Sequence, residues 1–331
     1  MLHRPDDLDA LIERRPPSNS LRWAERQIGP GTAIQQVRPL PGAWASAVHA
    51  FGVVLGDESA AARESDPLDP AEPGRRHQFV LRRHVWAEAL AADPGLISRE
   101  VAVLRAIEAH PGDIAAPRII AVDADASSTD VPAVLQSLLP GRVRDSPGDS
   151  AGERETFARQ LAGTAAAIRN GPTAGIDARY EPWNSGVELT PPPRSRRIEL
   201  WERAFAIFDG GPPDEVVGAG EAQLVHRDFH PGNVLWRQGS VSGVVDWVHA
   251  CVGPPAVDVA HCRLNLVVRL DLGRGCADAL LDESVRLGAR WDPWFDVAEV
   301  ISWLPVPSSS PRGWFTRAQD HLERALVELG G

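Results

Sequence analysis

Apolar residues recur with two different periods along this chain, and the change of period divides it. Residues 6–15 place Leu8, Leu11 and Ile12 on one side of a short helix that Pro16 and Pro17 end. A second short helix covers 21–27 and stops at Gly29-Pro30-Gly31. Strand-like stretches come next, at 32–40, 44–55 and 77–83. Between the last two lies 56–74, rich in Asp, Glu, Ala and Pro, which reads as a mobile solvated hairpin loop. Ile97, Val101, Leu104 and Ile107 recur at helical spacing over 97–109, closed by His110-Pro111-Gly112. Two more strands, 118–122 and 131–139, complete a β-β-β-α-β-β order. That order predicts an antiparallel five-stranded sheet with one main helix packed on it.

Pro140-Gly141 and the polar stretch 142–152 mark the expected boundary, giving a first lobe over 1–139 and a second over 140–331. Beyond it the helical period dominates, at 153–169, 198–208, 256–270, 276–287 and 313–329. The exception is a strand-rich island at 223–247. The class is therefore α+β, a sheet-containing first lobe followed by a mostly helical one.

Composition narrows the function classes. With 331 residues, 43% of them hydrophobic, the chain is long enough for two lobes with their own cores. A net charge of -11 argues against nucleic acid as a partner, because neutralising phosphates needs a basic surface. It suits a cationic small molecule. The chain contains no lysine, so any role usually given to Lys falls to Arg. Three cysteines, Cys251, Cys262 and Cys276, give neither a disulfide framework nor zinc spacing, as expected in a reducing compartment. Charges run throughout Met1 to Arg15, and no apolar run is long enough to span a bilayer. Neither a signal peptide nor a membrane is expected, and the expected location is cytoplasmic.

The chemistry sits in the island. Leu224-Val225-His226-Arg227-Asp228-Phe229-His230-Pro231-Gly232-Asn233-Val234-Leu235-Trp236 is followed, after a turn at Gln238-Gly239-Ser240, by Val244-Val245-Asp246-Trp247. An apolar strand delivers His226 and Asp228 into a loop. Pro231 and Gly232 bend the chain so that Asn233 returns towards Asp228, and a hairpin brings Asp246 beside them. One carboxylate can orient an attacking hydroxyl and accept its proton; the other, with the Asn oxygen, offers hard ligands for Mg²⁺ on nucleotide phosphates. Turns by themselves also favour Asp, Asn, Pro and Gly, so mutual capping is the bland alternative. A third reading takes His226-x-Asp228-x-His230 as hydrolase metal ligands, but no matching histidine cluster stands elsewhere in the sequence.

His226-x-Asp228-x4-Asn233 resembles the catalytic loop of protein kinases. With His230-Pro231-Gly232-Asn233 inside it, the string is more similar to the aminoglycoside phosphotransferase and choline kinase superfamily. The resemblance implies a protein-kinase-like two-lobe fold, with Asp228 as catalytic base, Asn233 and Asp246 as magnesium ligands, and His226 as a support for the loop. Asp246 is followed by Trp247-Val248 instead of Phe-Gly, as is usual in the small-molecule branch. Gly253-Pro254-Pro255-Ala256-Val257-Asp258-Val259-Ala260 resembles the family's Gly-Asp-Pro-x-x-Asp-Leu-Ala segment, with Pro254 in place of the first Asp. It implies that Asp258 is a buried carboxylate bracing the catalytic loop.

The same resemblance assigns a nucleotide site to the first lobe. Arg82 stands where the kinase strand carries its Lys, with Glu100 as its partner; Arg83 and Glu88 are the nearby alternative pair. An Arg fork can grip phosphates bidentately. Pro41-Gly42-Ala43-Trp44-Ala45-Ser46-Ala47 lies where a phosphate-covering loop belongs, its amides and the Ser46 hydroxyl facing phosphate, although a plain hairpin turn reads almost as well. Backbone groups of Ser137 and Leu138 are the expected contacts for the base.

The resemblance implies transfer of a γ-phosphoryl group from ATP or GTP to the hydroxyl of a small molecule. An aminoglycoside-like antibiotic comes first, which would make the protein a resistance enzyme. Choline, another hydroxylated amine, or a sugar metabolite come next. A catalytically idle nucleotide-binding protein is the reading from another class, and the intact Asp228, Asn233 and Asp246 argue against it. Trp183, Trp201, Trp247, Trp291, Trp294, Trp303 and Trp314 all fall in the helical half, most of them expected in its core. Trp247 and His249 are placed nearest the acceptor, with Asp258, Asp292, Asp296 and Glu299 as acidic candidates.

Overall fold

Alternation of side chains along β3 (His77–Arg83) and β5 (Ala133–Ser137) gives the first sheet two apolar faces. The computed structural model describes residues 5, 7–42, 44–54, 77–110, 112–144, 147–217, 222–305 and 312–330. The predicted loop 56–74 lies outside the described residues, as does Ala43. With β1 (Ala33–Pro39), β2 (Ala47–Val54) and β4 (Ile119–Asp123), these strands form a five-stranded sheet of order β1-β2-β3-β5-β4. Every neighbouring pair in it is antiparallel.

Phe79, Leu81, Ala133 and Leu135 pack with Phe51 and Val53 against Trp23, Ala24 and Ile28 of the helix Ser18–Ile28. Val134, on the opposite face, packs with Ile97 and Val101 of the helix Leu96–Ala109. The sheet is thus covered on both sides, where the sequence pattern predicts one main helix. A further short helix, Ala87–Ala92, carries no such pattern and has no buried residue.

The chain divides into two compact units, residues 1–105 with 117–139 and residues 106–116 with 140–331. The segment 106–116 goes with the second unit; within it the Val244 N–H donates to Ala115 O at 2.9 Å.

The second unit is mainly helical. Its longest early helix, Ala151–Arg169, starts with a reciprocal cap: Ser150 Oγ accepts from the Glu153 N–H and the Glu153 carboxylate accepts from the Ser150 N–H. Phe157, Leu161 and Ile168 of this helix are buried. Further helices are Ile198–Asp209, Ala256–Leu264, Arg274–Arg286, Trp294–Ser302 and Arg312–Gly330. The sequence pattern misses Trp294–Ser302, nine residues long and buried over Trp294–Ile301, its two acidic residues Asp296 and Glu299 included. It also reads 256–270 as one helix. The α-helix ends at Leu264 and widens into a π turn over Asn265–Arg269, with Leu270 N–H donating to Asn265 O at 3.0 Å.

The island contributes β7 (Gln223–Val225), paired antiparallel with β10 (Cys251–Gly253), and a small sheet of order β6-β8-β9 from Arg142–Val143, Val234–Arg237 and Ser240–Val244. Among the described residues no helix is long and apolar enough to cross a membrane.

Candidate active site

Pairing of Val225 with Cys251 ends the strand at His226, and the chain then turns through Arg227 in the left-handed region, φ 68°. A non-glycine residue there is strained and needs fixing from outside. Asp258 provides it. Its Oδ2 accepts from the His226 N–H at 2.8 Å and its Oδ1 from the Arg227 N–H at 2.7 Å. Burial pushes the Asp258 carboxyl up, against the opposing charge of His226 and these two bonds. His226 is itself buried; its Nε2 donates to Val245 O at 2.9 Å and its ring packs 4.7 Å from that of Trp247.

Pro231–Asn233 makes a single 3₁₀ turn, with the Gly232 N–H donating to His230 Nδ1 at 3.0 Å. The turn returns Asn233 to Asp228: Asn233 Nδ2 donates to Asp228 O at 2.8 Å and to Asp228 Oδ2 at 3.0 Å. An amide whose nitrogen is committed in this way keeps Oδ1 as its acceptor. Val245 N–H donates to Asn233 O at 2.9 Å, so Val245, the residue before Asp246, is tied through its N–H to Asn233 and through its carbonyl to His226. Asp246 comes next, in the left-handed region, φ 70°. The structure therefore gathers His226, Asp228, Asn233 and Asp258 by direct bonds, and sets Asp246 one residue from them.

Two further side chains complete the surroundings of Asp228: His261, which the sequence pattern does not assign to the site, and Glu299, which it offers only as an acidic candidate for the acceptor. His261 Nε2 lies 3.1 Å from Asp228 Oδ1, and His261 Nδ1 lies 2.8 Å from Glu299 Oε2. Burial alone would pull the His261 imidazole down. The charge of Glu299, then the bonds to Asp228 and Glu299 and the charge of Asp228, outweigh burial and push it up to about 10. Asp228 feels burial in the raising direction, yet the hydrogen bond and charge of His261, then the charges of His230 and His226, hold it well below the usual carboxylate range. His230 goes the other way: burial pulls it down to about 4 in spite of Asp228. The signal for His261 is its position three residues after Asp258 on one helix, hence on the same face.

Asp228, His230 and His261 each bring a ligand atom within 4.8 Å of the others, in outline a transition-metal site. Their protons oppose it. His230 Nδ1 accepts from Gly232, so Nε2 carries the hydrogen, and both nitrogens of His261 face carboxylates as donors. His226, from the hydrolase reading, is committed to Val245 O.

Several acidic and aromatic candidates for the acceptor have other work. Trp247 is fully buried and its indole N–H donates to Val244 O at 3.0 Å, so it is core and not a pocket wall. Asp296 is buried with Arg263, and His321 Nε2 lies 3.2 Å from it. Asp292 Oδ1 caps the Trp294 N–H at 2.8 Å. His249 meets Trp183 edge-on at 5.1 Å, and the Arg227 guanidinium sits 3.8 Å above the Trp183 ring.

In the first unit, strand alternation separates the two candidate arginines. Arg82 shares its face with Val80, and Arg82 Nη1 is 3.9 Å from Glu100 Oε1. Glu100 is buried and also accepts from Gln136 Nε2 at 3.1 Å. Arg83, on the other face, forks onto Asp130 and not onto Glu88. Ser46 is buried just before β2. Ser137 N–H donates to Arg118 O at 2.9 Å and Leu138 N–H to Gln78 O at 3.2 Å, so both amides are engaged in the unit itself.

Residues 71–294 match the profile of the phosphotransferase enzyme family (APH). The uncharacterized protein YcbJ of Bacillus subtilis (strain 168) is 30% identical over 136 residues, 40% of this chain and 40% of its own length. Homoserine kinase of Beijerinckia indica subsp. indica is 30% identical over 116 residues, 30% of this chain and 35% of its own. The matches thus span less than half the length of these curated relatives. Among solved structures, a candidate aminoglycoside phosphotransferase of Ralstonia eutropha JMP134 is 17% identical with a TM-score of 0.60, over 96% of this chain and 99% of that one. Macrolide 2'-phosphotransferase MphH of Brachybacterium faecium is 20% identical with a TM-score of 0.51, over 98% of each chain. A thermostable mutant of aminoglycoside phosphotransferase APH(4)-Ia, in complex with ADP and hygromycin B, is 16% identical with a TM-score of 0.54, over 95% of this chain and 100% of that one. At these identities the likeness is one of fold, the mixed α+β protein-kinase-like one.

Proposed function

The chain belongs to the phosphotransferase enzyme family, and from that premise we propose that it is a small-molecule kinase moving the γ-phosphoryl group of ATP or GTP to a hydroxyl of a hydroxylated amine. The observation that carries this reading is the bond from Asn233 Nδ2 to Asp228 Oδ2, with Asp246 held one residue from Asn233's own partner. A purely structural turn has no need of a carboxylate held ionised against an amide that keeps its oxygen as an acceptor, with a second aspartate directly after Val245.

Asp228 accepts a hydrogen bond from the attacking hydroxyl, which aims an oxygen lone pair at the phosphorus. As the new O–P bond forms and the bond to the leaving nucleoside diphosphate breaks, the hydroxyl proton passes to a carboxylate oxygen of Asp228. Asn233 Oδ1 and Asp246 are the hard oxygens that would hold Mg²⁺, and their chemistry fits that ion. Bound there, the ion would neutralise charge on the phosphates. In the first unit Arg82, backed by buried Glu100, is the proposed phosphate cation. The Ser46 hydroxyl is its proposed neighbour, and Ser137 and Leu138 are proposed to meet the base through atoms other than their engaged N–H groups.

For the acceptor, an aminoglycoside-like antibiotic is the first reading and an amino alcohol such as homoserine or choline the second. Both join a hydroxyl to an amine. Hygromycin B in the APH(4)-Ia complex supports the first, and the match to homoserine kinase supports the second. Thermal stabilisation by ATP with Mg²⁺, then nucleoside diphosphate release across a panel of both classes, separates them. Asp228→Asn should abolish turnover while nucleotide still stabilises the protein. Turnover that survives this change would remove Asp228 as the base. Stabilisation without turnover on any hydroxyl would favour the idle nucleotide-binding protein.

A further inference from the structure

We propose that His261, anchored by Glu299, is a positioning residue that clamps the carboxylate of Asp228 in the orientation the acceptor hydroxyl needs. The proposal rests on the reading of Asp228 as the base.

The clamp begins in the helix Ala256–Leu264. Asp258 and His261 are three residues apart and so occupy one face. From that face Asp258 holds the main chain before Asp228, and His261 reaches the side chain of Asp228 itself. The helix widens just after His261, and Asn265 Nδ2 donates to His261 O at 2.9 Å, which fixes the backbone that carries the ring. A neutral imidazole has one N–H and can serve only one carboxylate. Here Nε2 faces Asp228 at 3.1 Å and Nδ1 faces Glu299 at 2.8 Å, an arrangement that fits the doubly protonated ring. His261 is 11% exposed and Glu299 4%, so little water competes for these bonds.

The geometry at Asp228 shows what the clamp does. Asn233 Nδ2 takes Oδ2 and His261 takes Oδ1, so donors on both oxygens fix the plane of the carboxylate. Rotation of that plane would swing the accepting lone pair off the hydroxyl. Other charged or titratable groups near the ring are His230, whose ring centroid is 5.8 Å away, and Asp258 and His226 behind the loop. Arg269 acts on His230, and the charge of Glu299 acts on Tyr180. Among these only Asp228 and Glu299 bond the His261 ring in the described residues.

The test uses the full chain with Asp228→Asn, His261→Gln and Glu299→Gln, assayed on whichever acceptor the panel identifies. His261→Gln keeps a donor for Asp228 but loses the cation and the link to Glu299. We expect its kcat to fall about 10- to 100-fold with the nucleotide KM within about twofold, since misplacing a reacting group by an ångström costs that much. The double variant with Glu299→Gln should be no worse than His261→Gln alone. Independently of activity, ring ¹⁵N shifts should show His261 still protonated at pH 8 in the wild type and neutral in Glu299→Gln. An inactive Asp228→Asn beside a His261→Gln with wild-type kcat would overturn the clamp and spare the base. An active Asp228→Asn would remove both. A neutral His261 ring in the wild type at pH 8 would overturn the clamp even if His261→Gln does not fold.

Discussion

Asp258 accepts the main-chain N–H of His226 at 2.8 Å, with the N–H of Arg227 on its other oxygen at 2.7 Å. Two charge-assisted bonds on a buried carboxylate hold a loop that carries a left-handed residue. Asp258→Asn keeps one acceptor and turns an NH₂ towards the other N–H. We expect a loss of about 1–3 kcal/mol in chemical denaturation and a larger fractional loss in kcat than in nucleotide affinity. An unchanged denaturation midpoint would show that the loop is held some other way.

How much of the site is legible in the sequence depends on whether the signal is local. His226, Asp228, Asn233 and Asp246 fall within one short stretch, and turn chemistry alone brings three of them together. Asp258 is legible only through resemblance to a family segment. Glu299 stands among the acidic candidates for the acceptor, but its pairing with His261 joins residues 38 apart, and no periodicity encodes that. Adjacency to Asp246 suggests exposure for Trp247, whereas the turn after Asp246 sends the indole beneath His226. The helix Trp294–Ser302 goes unread because it is short and its polar face, Asp296 and Glu299, is spent on buried pairs with Arg263 and His261 instead of facing water.

Arg82 and Arg83 should separate cleanly as variants, because they lie on opposite faces of β3. Arg82→Ala is expected to raise the nucleotide KM by about tenfold or more, the loss of one charge-assisted phosphate contact, and also to lower the melting temperature, because buried Glu100 loses its cation. Arg83→Ala breaks a partly buried fork onto Asp130, whose carboxyl that fork and Ser20 hold below its ordinary range against the raising effect of burial. It should cost about 1.5–3 kcal/mol of stability, the loss of hydrogen bonds to a charged group, and leave the nucleotide KM near the wild type. Calorimetry with nucleotide titration checks both, and a reversal of the two patterns would exchange the roles of the arginines.

Asp246→Asn removes a negative charge from the proposed magnesium ligands while keeping the shape of the side chain. Stabilisation by ATP should then need about tenfold more Mg²⁺, since hard cations depend on carboxylate charge. Melting curves taken across a Mg²⁺ series read this directly. An unaltered Mg²⁺ midpoint would remove Asp246 from the ligand set.

The two histidines beside Asp228 should give the protein a stability maximum near pH 6.5. His261 is held near 10 in the folded chain, against 6.5 as its ordinary value. Between those values the native state binds the extra proton, so the stabilisation is complete below pH 6.5 and drains away as pH rises through 10. His230 is held near 4, so between pH 4 and 6.5 the unfolded chain binds the extra proton and stability falls as pH falls. Each limb has a slope of at most about 1.4 kcal/mol per pH unit, one proton's worth. The alkaline limb is best read from urea midpoints between pH 6.5 and 8.5. Above that, Cys276, which burial pushes up to about 11, adds a decline of its own as unfolded thiols ionise. His261→Gln should flatten the alkaline limb and leave the acid one; His230→Gln should do the opposite. A limb that persists unchanged after loss of its histidine belongs to some other group.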